Sequence, residues 1–177
     1  MARVFVGILL PENLKNLVVN AQKSLENLPI KCKFVEEQNL HVSLDFIGEV
    51  DGDGQEEIKE KISELAKKEN TFQAEIGDLK LIPNENFVRV IASEINSPEL
   101  FNIGKKLSVA IGGDAKPPHL TLCRVKKVLS KRELIEKFEL IKHVEIGSFK
   151  VSSIQLIKSE LRTDGPVYSV VSDFSFG

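Results

Sequence analysis

No stretch of the 177-residue chain approaches the roughly 18 consecutive apolar residues that a membrane-crossing helix needs. The opening Met1-Ala2-Arg3-Val4-Phe5-Val6-Gly7-Ile8-Leu9-Leu10 resembles the apolar part of a signal peptide, but it is too short for one. Pro11-Glu12 also follows where a small-residue cleavage site would stand. The segment reads instead as a buried first strand. Cysteine is scarce: Cys32 and Cys123 lie far apart, form no metal-type spacing, and read as reduced thiols of a cytoplasmic protein. There is no basic excess either. With 24 Lys and Arg against 26 Asp and Glu, the formal net charge of −2 argues against binding along long nucleic acid, which needs a broad basic face. No linker or low-complexity segment interrupts the chain, so residues 1–177 are expected to form one domain, with a monomer as the default state.

The charge is uneven. Six Lys and Arg and no Asp or Glu lie between Lys116 and Arg132, so a small anionic ligand could be held there; a solvated basic loop is the other reading.

Apolar spacing at Leu14, Leu17, Val18, Ala21, Leu25 and Leu28 predicts an amphipathic helix over about 12–28. A strand is expected over 39–47, then a turn at Gly52-Asp53-Gly54 and a second helix marked by Ile58, Ile62, Leu65 and Ala66. Thr71–Ile82 and Phe87–Ile95 read as a strand pair around Pro83-Asn84-Glu85-Asn86. Ser97-Pro98 opens a helix that Gly112-Gly113 ends. Lys116-Pro117-Pro118 leads into another strand, and Ser130-x-x-Glu133 is a capping box for a helix to about Ile141. Val144–Lys150, Val151–Leu161 and Val167–Phe174 close the chain as strands. The fold class is α+β: two pseudo-symmetric lobes of antiparallel sheet backed by helices, with an active-site cleft between them.

Histidine is also scarce, and here scarcity is informative. Of three histidines, two open the same short phrase: His41-Val42-Ser43-Leu44 and His119-Leu120-Thr121-Leu122. Chance gives such a coincidence on the order of one time in 10⁴ to 10⁵, so the phrase is an internal repeat. On a strand, residues i and i+2 share a face, so each copy delivers one imidazole and one hydroxyl to a common surface. The motif strands are expected to face each other across the cleft. One ring can accept a proton while the other donates one, and the hydroxyls can hold the non-bridging oxygens of a phosphate. His143 has no such context and reads as a surface residue. A zinc site has weaker support, because no companion Asp, Glu or Cys set stands at ligand spacing. A nucleophilic Ser43 is weaker still, because no strand-to-helix elbow surrounds it.

These residues resemble the 2H phosphoesterases, and within them the LigT-like RNA 2′,3′-cyclic phosphodiesterases, also called 2′-5′ RNA ligases. The resemblance covers nearly the whole chain. It is carried by Arg3-Val4-Phe5-Val6-Gly7-Ile8 with Pro11-Glu12, by Phe34-Val35 and Glu37 through Glu49, by Pro117-Pro118-His119-Leu120-Thr121-Leu122-Cys123-Arg124, and by Ser159-x-Leu161 with Gly165-Pro166-x-Tyr168. It implies a bilobal fold and no metal or other cofactor. The implied reaction opens a terminal 2′,3′-cyclic phosphate on RNA ends or cyclic nucleotides to a 2′-phosphomonoester, with reversible 2′-5′ joining of RNA ends as a second reaction of the same site. It also implies catalytic roles for His41 and His119 and phosphate-binding roles for Ser43, Thr121 and Arg124. The near-symmetric motifs leave open which ring is the base and which the acid. For hydrolysis to a 2′-phosphate, His119 is assigned to water activation and His41 to protonation of the departing 3′ oxygen, with the exchange of roles as the alternative.

The sequence departs from the family pattern at three positions. Ser43 stands where Thr is commoner, Phe34 where Trp is frequent, and Asp45 where a basic residue is frequent. By strict alternation Asp45 shares the face of His41 and Ser43, where it would repel phosphate and raise the His41 pKa. The same alternation turns Arg124 away from Thr121 unless the strand ends or bulges there. The competing class of function is a non-catalytic RNA-end or nucleotide-binding protein of the same fold. The presence of both imidazoles and both hydroxyls favours the enzyme.

Overall fold

The computed structural model describes residues 1–177. The chain runs β1 (Ala2–Leu9), α1 (Glu12–Ser24), β2 (Ile30–Phe34), β3 (His41–Val50), α2 (Gly52–Ala66), β4 (Phe72–Asn84) and β5 (Phe87–Asn96). It continues through α3 (Pro98–Ile111), β6 (Asp114–Val128), α4 (Lys131–Ile141), β7 (Gly147–Val151), β8 (Ser153–Arg162) and β9 (Gly165–Ser175). All pairings are antiparallel, in the order β7-β4-β5-β6-β3-β1-β8-β9, with β2 attached to β6.

That order is close to a palindrome about its central pair. β3 and β6 lie side by side, flanked by β1 and β5, then by β8 and β4, then by β9 and β7. The two lobes therefore meet at a seam made by the two motif strands. The expected opposition across a cleft becomes direct hydrogen-bonded neighbourhood at the motifs, because β3 and β6 pair there, with the register broken just beyond, between Ser43 and Asp45.

Helices cover the other face. α3 lies against β3 and β6, α2 against α3, β8 and β9, and α1 against β6. The motif strands give them apolar residues to cover: Val42, Leu44, Leu120 and Leu122 are all buried in one core with Leu100, Ile103 and Leu107 of α3. None of the four α-helices is long and apolar enough to cross a membrane.

The helix ends follow local chemistry. The Ser97 hydroxyl accepts from the Leu100 N–H, the Ser130 hydroxyl from the Glu133 N–H, and Gly112 closes α3 in the left-handed region at φ 73°. Gly52-Asp53-Gly54 is not the expected free turn. The Asp51 carboxylate accepts from the Gly54 N–H and caps α2, which draws both glycines into its first turn. β2 was not expected as a strand. Lys31 and Lys33 point to solvent from this edge strand, which leaves only Ile30, Cys32 and Phe34 to mark it.

Candidate active site

The register of β3 and β6 pairs Val42 with Leu120 and Ser43 with His119. Each hydroxyl therefore lies opposite the other motif's imidazole, and His41, Ser43, His119 and Thr121 share one face of the sheet. The two rings are held in the same way. His41 Nδ1 lies 2.7 Å from the carbonyl oxygen of Asn39, and His119 Nδ1 lies 2.9 Å from that of Pro117. A carbonyl can only accept, so the proton is assigned to Nδ1 in both rings, leaving Nε2 for chemistry. The Ser43 hydroxyl lies 3.1 Å from His41 Nε2 and donates to it when the ring is neutral.

A bulge follows each motif at the same place. Against β1, Ser43 pairs with Gly7 and Asp45 with Val6, so Leu44 is an extra residue. Against β5, Thr121 pairs with Ala92 and Cys123 with Ile91, so Leu122 is an extra residue. An extra residue resets the period-two alternation. Leu44 and Asp45 both turn to the helix-covered side, as do Leu122 and Cys123, and all four are buried. The next residue of each strand, Phe46 or Arg124, then returns to the motif face.

These bulges overturn the placement of Asp45 beside His41. Its carboxylate fills the space that a Cβ on Gly113 would need, just past the end of α3. Asp45 is only 2% exposed, and neither of its oxygens has a hydrogen-bond partner. Burial pushes its pKa up to about 6, against the opposing pull of the nearby Phe46 backbone N–H, with repulsion from Asp114 adding to the rise. The Arg124 expectation resolves the other way. The bulge brings its side chain to the wall of a cavity that also includes His41 and Thr121.

The surroundings of the two rings differ. His41 lies 4.8 Å from the Phe5 ring and 5.0 Å from the Tyr168 ring, centroid to centroid, and Phe5 in turn stacks on Phe46 at 5.6 Å. This enclosure drives the His41 pKa down to about 4, chiefly by desolvation. The Asn39 carbonyl opposes the shift, while His119 and Arg124 add to it. His119 is half-buried and has no aromatic neighbour of this kind. The cavity adjoins His41, lined by Phe34, Asn39, Thr121, Arg124, Pro166 and Tyr168. His143 lies elsewhere, exposed and paired with Asp78 at 2.7 Å.

Sequence reasoning missed three supports of this site. Phe5 projects from the face of β1 opposite Val4 and Val6, and its ring packs on His41. Asn39 supplies the His41 clamp and donates from its side chain to the Pro166 carbonyl at 2.9 Å, tying the β8–β9 hairpin to the motif. Gln22 donates to the Val35 and Leu122 carbonyls at 2.8 and 2.9 Å, a second hydrogen bond for the carbonyl of the bulged Leu122, which also accepts from the Val35 N–H. Only Gln22 left a signal in the sequence: a polar residue inside the apolar stripe of α1.

The arrangement can hold a phosphate between two imidazoles with two hydroxyls beside it, the groups that acid–base displacement at phosphorus requires. The LigT like Phosphoesterase family model matches residues 8–92. The chain is 36% identical to the RNA 2′,3′-cyclic phosphodiesterase of Methanocaldococcus jannaschii, over 97% of this chain and 99% of that protein. It is 31% identical to the protein of the same description from Methanothermobacter thermautotrophicus, over 97% of each. The crystal structure of TT0787 of Thermus thermophilus superposes with a TM-score of 0.80 at 25% identity, covering 98% of this chain and 97% of that one. The chain belongs to the LigT-like family of 2H phosphoesterases.

Proposed function

We propose that this protein is an RNA 2′,3′-cyclic phosphodiesterase that opens a terminal cyclic phosphate to a 2′-phosphomonoester by acid–base catalysis between His41 and His119. The observation that carries the reading is the register that sets both Nε2 atoms and both hydroxyls on one sheet face. The Nδ1 contacts with the Asn39 and Pro117 carbonyls leave both Nε2 atoms available, so the proton transfers are assigned to the imidazoles. Ser43, Thr121 and Arg124 hold the non-bridging oxygens.

The position of the cavity supports one direction of opening. It adjoins His41, so a nucleoside seated against Phe34 and Tyr168 presents its 3′ oxygen to that ring. The opposite apex of phosphorus then faces the more open His119. His119 Nε2 takes a proton from water as the water oxygen bonds to phosphorus. His41 Nε2 gives its proton to the 3′ oxygen as that P–O bond breaks. The 2′ ester bond stays intact, and a 2′-phosphate with a free 3′ hydroxyl leaves. With an RNA 5′ hydroxyl in place of water, the same step joins ends 2′-5′: the 5′ oxygen bonds to phosphorus as His119 takes its proton, and the 3′ oxygen leaves with the proton of His41.

Burial keeps His41 neutral in the free protein, so its proton must be stabilised by the arriving phosphate anion. The test is turnover of a 2′,3′-cyclic mononucleotide in excess EDTA, with the product isomer identified. A 2′-phosphate product supports the reading. A 3′-phosphate reverses the direction of opening. Binding without turnover makes the protein a nucleotide-binding member of the family.

A further inference from the structure

Five basic side chains, Lys31, Lys33, Arg124, Lys126 and Lys127, are exposed along β2 and the second half of β6. None of them forms an ion pair, although Lys116, Arg132 and Lys137 nearby all do. The register sets Lys31 directly opposite Lys127, and Lys33 directly opposite Arg124. Like charges opposed across a strand pair are destabilising, and the fold carries both pairs without an acid between them. The register shift between Lys31 and Cys32 leaves Lys126 as an extra residue, so two consecutive lysines face solvent.

The strip is continuous with the active site. Lys33 and Arg124 line the cavity wall beside His41 and Thr121, and the remaining lysines lead away from it. Glu36 is the acidic side chain on that wall, and it holds Gln38 at 2.7 Å. Successive same-face positions on a strand are about 6.6 Å apart, a repeat that an extended polynucleotide backbone can follow. The strip is two strands wide in a molecule of net charge −2, too narrow for a duplex and sufficient for a short single strand.

We propose that this strip is the track for the single-stranded RNA that precedes the cyclic phosphate end. With the terminal phosphate between His41 and His119, the preceding phosphates run past Lys33 and Arg124 to Lys31, Lys126 and Lys127. The substrate is then an RNA chain with a short unpaired 3′ tail, and a mononucleotide fills only the first part of the site. This rests on the phosphodiesterase reading above for where the 3′ end sits.

The test uses the triple variant Lys31→Gln, Lys126→Gln, Lys127→Gln, whose side chains all lie in solvent outside the cavity. Two substrates are compared: a 2′,3′-cyclic mononucleotide and a single-stranded oligoribonucleotide with the same terminus. The expected result is unchanged kcat/KM on the mononucleotide and a KM for the oligoribonucleotide raised on the order of tenfold to a hundredfold at low salt. The slope of log KM against log salt should fall by about 2, since each single-strand phosphate contact contributes about 0.7. Equal effects on both substrates, or an unchanged salt slope, would overturn the track. Fluorescence anisotropy with a 3′-phosphorylated oligoribonucleotide reads the track without turnover. Loss of mononucleotide hydrolysis by the wild-type protein therefore counts against the phosphodiesterase reading alone, while equal RNA affinity of wild type and triple variant counts against the track alone.

Discussion

His41 packs against Phe5 and Tyr168, which also touch each other, and has almost no solvent contact, whereas His119 stands half-exposed on the neighbouring strand with no such aromatic enclosure. The mechanics of the two are otherwise the same. Each Nδ1 is clamped by the carbonyl two residues earlier, each ring is followed two residues later by a hydroxyl, and each strand bulges directly after that hydroxyl. The bulged positions carry different cargo. Asp45 in the first half corresponds to Cys123 in the second, and Phe46 corresponds to Arg124. The two halves share the clamp, the hydroxyl and the chain path, and differ in what surrounds the ring. The first half supplies an aromatic, dry wall, and the second supplies positive charge and access to water.

Removing either ring tests whether both halves take part. His41→Ala and His119→Ala should each lower kcat by about 10² to 10⁴, the span of a general acid or base. Near-normal hydrolysis by one variant would remove that ring from the mechanism. The division of labour is read with an aryl phosphodiester whose leaving group needs no protonation. His41→Ala should regain much of its loss on that substrate, and His119→Ala should not. The opposite pattern exchanges the two roles.

The hydroxyls test the symmetry one step down. Ser43→Ala and Thr121→Ala should each lower kcat by roughly 10² to 10³, if the hydroxyl is as well placed as an oxyanion-hole donor. The two should differ in a second respect. Ser43 also donates to His41 Nε2, so its removal should move the pH profile, whereas Thr121→Ala should lower the rate across the profile without moving it. Loss of thermal stability with full activity per folded molecule would assign the hydroxyls to the sheet instead.

How far the sequence reveals this comparison depends on the range of each signal. The repeated phrase and the caps at Ser97, Gly112 and Ser130 are local, and a few adjacent residues state them in full. The palindromic sheet order follows from the repeat once the elements are placed. The bulges at Leu44 and Leu122 have no local marker, because an extra residue exists only relative to the partner strand. Strict alternation therefore put Asp45 on the wrong face and left Arg124 conditional. β2 carries no clear mark in the sequence because Lys31 and Lys33 break its apolar content, and the same two lysines begin the basic strip. The aromatic enclosure of His41 joins Phe5 and Tyr168 from opposite ends of the chain, a contact that no window along the sequence contains.

The pH profile sharpens the contrast in protonation. One imidazole must be protonated while the other is neutral, so the profile of each kinetic parameter should be bell-shaped. In kcat/KM, which reports the free enzyme, the acid limb should reflect the depressed His41 pKa of about 4. A bound phosphate places negative charge beside the ring and favours imidazolium, so the limb should move to higher pH in kcat. Identical limbs in the two parameters would mean that substrate does not approach His41.

Asp45→Asn should have the smallest effect on catalysis, because the bulge turns this side chain toward Gly113 and away from both rings. Its kcat, KM and pH limbs should match those of the wild type, and a shifted limb would return Asp45 to the motif face. The effect should fall on stability. Folding raises the Asp45 pKa from 3.8 to about 6, so the folded state holds that proton more tightly. Stability from this group is full below the ordinary carboxylate pKa and declines as pH rises to about 6, by on the order of 3 kcal/mol. His41 works in the opposite sense over nearly the same range. Folding lowers its pKa from 6.5 to about 4, so stability is full above 6.5 and declines by a similar amount as pH falls toward 4. In the wild type the two slopes oppose each other, and unfolding free energy should vary little from this pair between pH 4 and 6. Asp45→Asn removes one slope and leaves the other. Its denaturant midpoint should exceed that of the wild type at pH 7 and fall back steadily as pH is lowered toward 4. A midpoint that follows the wild type at every pH would mean that the Asp45 carboxyl is not buried in the folded protein.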